Sequence, residues 1–159
     1  MRRLLPILLV IALAAPLAAF ARSAVPGDGS LSVRNGDGQV RLLIRGAVIG
    51  KVESGRLTVI DPAKDCDLLL VWETDAPPRE WTTTDGETAC TFTGTDLRFR
   101  FVGGLNEVRV IGSGIYLSAV GKGSARLRGT AGTYSVDGGK YVDLPAGWVR
   151  EQIGVTVTP

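Results

Sequence analysis

The chain contains no histidine. Without an imidazole there is no Ser-His or Cys-His nucleophile pair and no histidine ligand for a catalytic metal. The Gly-x-Ser-x-Gly elbow of serine hydrolases is missing as well. Ser-Lys chemistry keeps its raw materials in Lys51, Lys64, Lys122 and Lys140, yet none of these lysines stands beside a serine at a helix start. Val110-Ile111-Gly112-Ser113-Gly114 opens like a dinucleotide fingerprint but carries Leu117 where the third glycine belongs. Gly121-Lys122-Gly123-Ser124 lacks the Gly-Lys-Ser order of a phosphate loop. No cofactor is expected, and the domain reads as non-enzymatic.

Long apolar runs are lacking too, with one exception at the start. Arg2 and Arg3 precede an apolar stretch from Leu4 to Ala15, and Ala19-Phe20-Ala21 follows. A basic head, a short apolar centre and a small-x-small site are the three parts of a cleavable export signal. The stretch falls short of the roughly 20 apolar residues a spanning helix needs. Met1 to Ala21 is therefore read as a signal peptide, with a boundary as late as residue 24. Residues 22–159 form a single domain that is exported to the periplasm or beyond. No membrane span is expected after cleavage.

Net charge disappears with the signal. The chain has 18 Lys and Arg against 16 Asp and Glu. Arg2 and Arg3 leave with the signal, so 16 of each remain and the domain is neutral. A nucleic-acid partner, which needs a net basic field, is not expected. Cysteine is scarce: Cys66 and Cys90 are the only two. In an oxidising compartment an isolated pair is expected to form one disulfide.

What is abundant is glycine, 21 residues, with 8 prolines. Short β-branched runs alternate with this punctuation: Val40–Ile44, Ala47–Val52, Leu57–Ile60, Leu68–Trp72, Leu97–Val102, Val108–Ile111, Ile115–Val120, Ala125–Arg128, Tyr134–Val136 and Ile153–Val157. Such runs predict an all-β domain. Asn35-Gly36-Asp37-Gly38 between two apolar runs predicts a tight reversal. Leu97-Arg98-Phe99-Arg100-Phe101 and Ala125-Arg126-Leu127-Arg128 alternate with period 2, so their sheets have one wet face. Gly46–Leu57 aligns with Gly114–Leu127 and suggests two equivalent halves, with Cys66 and the double proline Pro77-Pro78 in an excursion between them.

Strands at about ten-residue spacing with glycine corners fit a β-solenoid-like stack, the alternative being a β-sandwich. Gly112–Thr130, with glycine at 112, 114, 121, 123 and 129, resembles the glycine-punctuated strands of bacterial exported adhesin-like β-solenoid domains. That resemblance implies a stacked β architecture and a structural or adhesive role at the cell envelope.

Acidic residues concentrate in turns: Asp28, Asp37, Asp61, Asp65, Asp85, Asp96 and Asp137. Asp beside Gly is ordinary turn chemistry, and neither Asp28 with Asp37 nor the cluster Asp61, Asp65, Asp67 supplies the six to eight oxygens calcium needs. Glu53, Glu73 and Glu107 stand nearest to strands, so a degenerate polysaccharide-active enzyme is the weakest of three readings. Arginines, by contrast, occupy strands. Arg41, Arg45, Arg98, Arg100, Arg126 and Arg128 are the candidate anion-binding face, since guanidinium forks suit carboxylate, sulfate and phosphate. The partner would be an envelope polysaccharide, a lipid head group or another envelope protein. Of the tryptophans, Trp72 is expected in the core, Trp81 in a capping or docking position, and Trp148 as the anchor of the C-terminal segment.

Overall fold

A computed structural model describes residues 27–61, 70–72, 79–82 and 86–154, the side chains of 61, 70–72 and 79–81 excepted. The expected signal peptide and Cys66 lie outside the described residues. All elements are strands: β1 (Gly29–Asp61), β2 (Leu70–Trp72), β3 (Arg79–Thr82), β4 (Thr88–Val136), β5 (Val142–Asp143) and β6 (Val149–Ile153). Every pairing is antiparallel.

The short runs of the sequence are fused into two arms. β1 is 33 residues long and β4 is 49, against the five or six of an ordinary strand. Alternation survives within them. Val40, Leu42 and Ile44 are buried while Arg41, Leu43 and Arg45 point out, and Leu97, Phe99 and Phe101 are buried while Arg98 and Arg100 are exposed.

The register explains the unusual length. Leu31 faces both Ala119 and Val136, Val40 faces both Val110 and Leu127, and Gly46 begins a run in which Val48 faces both Phe101 and Ala119. The first two partner pairs stand 17 residues apart (119 and 136, 110 and 127). Arg45 pairs with Leu105 and Lys122, and its covalent neighbour Gly46 pairs with Gly121. Residues 105 and 122, 17 apart in sequence, thus flank the same residue of β1. β4 returns alongside itself with one stretch of β1 in between, and β1 lies between successive stretches of β4.

That interleaving requires glycine. Gly94, Gly55, Gly112, Gly38 and Gly129 are consecutive cross-strand partners, one from each of five adjacent stretches. A Cβ on Gly112 would strike the Ser54 carbonyl oxygen and the Gly55 Cα, and one on Gly55 would strike the Ile111 carbonyl and the Gly112 Cα. Backbone meets backbone there with no room for a side chain. A second file runs through Gly46, Gly121 and Gly29. Glycines therefore shape the ladder without ending it, which is why the sequence runs look separate and the strands are not.

Two local expectations are corrected here. Asn35-Gly36-Asp37-Gly38 does not reverse the chain: β1 runs straight through it, with Arg34 paired to Thr133 and Asp37 to Ala131. Asn35 takes a left-handed φ of 48° and kinks the strand, and the Asp37 carboxylate accepts the Gly114 N–H at 3.1 Å. The left-handed residue is absorbed as an irregularity because both neighbouring stretches continue to pair across it. Nor are Gly46–Leu57 and Gly114–Leu127 equivalent halves. They lie on opposite arms and pair directly, Gly50 with Leu117 and Val52 with Ile115.

Inward side chains meet in one cluster. Its spine is the cross-strand file Phe92, Leu57, Val110, Val40, Leu127, Val149. Each buried Leu or Val contributes about 1.5–3 kcal/mol relative to exposure. Cys90 is fully buried in the same cluster, paired in register with Val59, and no free cysteine occurs among the described residues. β2 and β3 add to one end of the stack through residues 98–100 and 88–91 of β4; β5 and β6 add to the other through 133–134 and 123–127. The Asp137 carboxylate ties that second end together, accepting N–H groups from Ser30 at 2.8 Å and Gly154 at 3.4 Å. The Tyr134 hydroxyl donates to Glu151 at 2.8 Å, and burial together with that carboxylate pushes its pKa up to about 12.

Gly112→Ala should lower stability by about 1–3 kcal/mol, because the added methyl has only backbone to displace. Gly147→Ala, where a Cβ meets nothing within 4 Å, is the control and should stay within about 0.5 kcal/mol. Thermal melts of the two variants decide it; equal melts would remove the packing role of the glycine file.

Candidate functional site

Because the arms pair in register, outward side chains line up in rows. In one row Arg109 stands opposite Arg41, Arg41 opposite Arg126, and Arg126 opposite Arg150. Adjacent members are about 4.8 Å apart along the hydrogen-bonding direction. Like charges directly opposite one another in a sheet are destabilising, so the row needs compensation.

An aromatic ring supplies part of it. Trp148 lies on the segment leading into β6, and the backbone there is held by a hydrogen bond from the Gly129 N–H to the Pro145 carbonyl at 2.8 Å. Its ring receives three guanidinium groups: Arg128 at 4.8 Å, Arg41 at 5.0 Å and Arg126 at 5.4 Å from the centroid. Each such contact is worth about 0.5–1 kcal/mol at an exposed site. Trp148 does anchor the C-terminal segment, and it does so on arginines.

Carboxylates contribute little. Glu107 takes Arg109, with Arg109 Nε donating to Glu107 Oε1 at 2.7 Å. Glu151 is committed to Tyr134. Among the described residues, Arg41, Arg126, Arg128 and Arg150 have no carboxylate partner. A ring face holds a guanidinium by its π surface and leaves its N–H edge unspent. The arrangement therefore presents several forks, aimed outward, to an anion.

The six arginines expected to share one face are divided. Arg41, Arg126 and Arg128 meet around Trp148. Arg98 and Arg100 lie on the other side of the glycine files, with Arg98 and Lys51 both on Asp96 at 3.1 and 2.8 Å. That carboxylate raises the Lys51 pKa. Arg45 stands on β1 four residues beyond Arg41, opposite Leu105 and Lys122. Arg150 and Trp148 belong to the row but were not among the expected site residues. The readable signal for the row was the 17-residue interval from Arg109 to Arg126, the same as the glycine interval.

Other expectations are placed as follows. Asp37 is occupied by the Gly114 N–H, and Asp65 and Asp67 lie outside the described residues. No group of three or more Asp, Glu or Cys that could hold a metal is gathered among the described residues. Trp72 and Trp81 pair through their backbones with Arg98 and Ala89; their side chains are outside the description. No helix among the described residues is long and apolar enough to cross a membrane. Comparison with protein-family models, curated proteins and solved structures yields no match.

Replacing one member of a like-charge row should stabilise the fold. Arg150→Gln, which leaves the three Trp148 contacts intact, should gain a few tenths of a kcal/mol in 10 mM salt. The gain should vanish in 1 M salt, where charges more than about 3 Å apart are screened. Calorimetry at the two salt concentrations tests this; a loss of stability in low salt would mean that the row is already neutralised.

Proposed function

We propose that the protein is an exported, non-enzymatic binding module that holds an anionic ligand at the cell envelope through the Arg41–Arg126–Arg128–Arg150 cluster. One observation carries the reading: four arginines without a carboxylate partner among the described residues are grouped on and beside a single tryptophan. A row of like charge weakens a sheet unless something outside the chain neutralises it. An acidic envelope polysaccharide is the ligand favoured, since its carboxylates or sulfates recur along a chain as the arginines recur along the row. A lipid head group offers the same chemistry at one point only. This binding would be the means of the structural or adhesive role expected of the domain.

The remaining parts of the reading fit together. Cleavage after about residue 21 delivers the domain to an oxidising compartment. There Cys66 pairs with Cys90, tethering the excursion between β1 and β4 to the buried core. Within the all-β class, the interleaved 17-residue register supports a β-solenoid-like stack. Its glycine files act as corners, and its arginine row and Arg98–Arg100 region lie on different walls.

Titration calorimetry with polygalacturonate, and with neutral dextran as control, tests the function. Polygalacturonate should bind, weaken steeply as salt rises, and lose at least tenfold in affinity in Arg41→Gln/Arg126→Gln/Arg150→Gln. That loss corresponds to about 0.5 kcal/mol for each charge-assisted contact removed, a low figure for such bonds. Equal affinity in the triple variant, or equal binding of dextran, would overturn the proposal.

A further inference from the structure

Away from the arginine row, a groove of about 560 Å³ crosses four adjacent stretches of the two arms. Its floor is the cross-strand file Phe99, Gly50, Leu117, Val33. The side chains of Phe99, Leu117 and Val33 point inward and are buried, and the Phe99 ring fills the space that a Cβ on Gly50 would take. One wall is Arg98, Lys51, Tyr116 and Arg34; the other is Arg100, Ile49, Ser118 and Ser32. The volume lies within the roughly 300–1,000 Å³ of small-molecule sites. Three inter-strand steps give it a length of about 14 Å.

Its exposed apolar side chains lie in the middle, with cations toward both ends. In the middle, Ile49 and Tyr116 are 56% and 43% exposed and give the groove its apolar surface. At one end Tyr141 holds two of the lining residues: its hydroxyl donates to Ser32 Oγ at 2.8 Å, and its ring carries the Arg34 guanidinium at 3.9 Å. Lys51 and Arg98 share Asp96. At the end away from Tyr141, Arg100 points outward with no carboxylate partner among the described residues. The groove thus has Arg34 held on the Tyr141 ring at one end, an apolar middle at Ile49 and Tyr116, and Arg100 at the other end.

We propose that this groove binds a single-chain anionic amphiphile, its hydrocarbon arm along the floor between Ile49 and Tyr116 and its head group at Arg100. About 14 Å is the extended length of a chain of roughly a dozen carbons with C–C bonds near 1.5 Å. Charge argues for this occupant over a second copy of the protein. Two such faces brought together about a two-fold axis would set Arg34, Lys51, Arg98 and Arg100 against cations of the same face. The inference does not rest on the arginine row.

Titration calorimetry of the purified protein with dodecanoate, below its micelle concentration, is the test. Dodecanoate should bind at least tenfold tighter than octanoate and at least tenfold tighter than dodecyltrimethylammonium. Arg100→Gln and Ile49→Asn, both outward positions, should each weaken it fivefold or more with unchanged melting temperature. Polygalacturonate binding should be the same in both variants, which separates this site from the one proposed above. Absent binding, equal affinity in the two variants, or equal affinity for the cationic amphiphile would overturn the proposal. So would a concentration-dependent dimer in light scattering that Ile49→Asn abolishes, since the face would then belong to a second copy.

Discussion

The structure depends on close backbone contact between two arms that pair with each other on both edges. A strand with a partner on each side has no exposed ladder, which satisfies its N–H and C=O groups and removes most of the edge that would otherwise invite aggregation. For one chain to do this twice over, each arm must come back beside itself after a fixed number of residues. The backbone must also tolerate very near neighbours where it does so. Gly38, Gly55 and Gly112 meet that condition, because any Cβ there would overlap a carbonyl oxygen of the adjacent stretch. The buried file from Phe92 to Val149 then forms as a consequence of register.

The same register converts scattered surface residues into organised rows. Arg41, Arg109, Arg126 and Arg150 are far apart in sequence and adjacent in space, since the 17-residue return brings their strands side by side. Arginines scattered along the chain form a locally cationic strip in this way, and Trp148 holds the strip together without cancelling its charge. The groove at Ile49 and Tyr116 arises likewise, from an inward-pointing glycine at position 50 flanked by two outward files.

Much of this was legible in the residues. The strand runs, the in–out alternation of Leu97–Phe101 and Ala125–Arg128, and the all-β class follow from period-2 patterning, which depends only on local geometry. What stayed hidden is what depends on pairing. Asn35-Gly36 has the chemistry of a reversal, and only strands pairing continuously on both sides make it a kink instead. The 17-residue interval was also present, in Gly29 and Gly46, Gly38 and Gly55, Gly112 and Gly129. A direct alignment of Gly46–Leu57 with Gly114–Leu127 masked it, because an antiparallel partner resembles an internal copy when both are glycine-punctuated. The arginine face was half visible for the same reason: alternation shows that Arg41 and Arg98 point outward, but not that different stretches of the return carry them.

The central claim is that each stretch of β1 has two partners from β4, 17 or 18 residues apart. Backbone nuclear Overhauser effects measure it directly. The account predicts cross-strand contacts from Val40 to both Val110 and Leu127, and from Leu57 to both Phe92 and Val110, in one monomeric protein. A single partner for each, as in a simple pair of long strands, would contradict it.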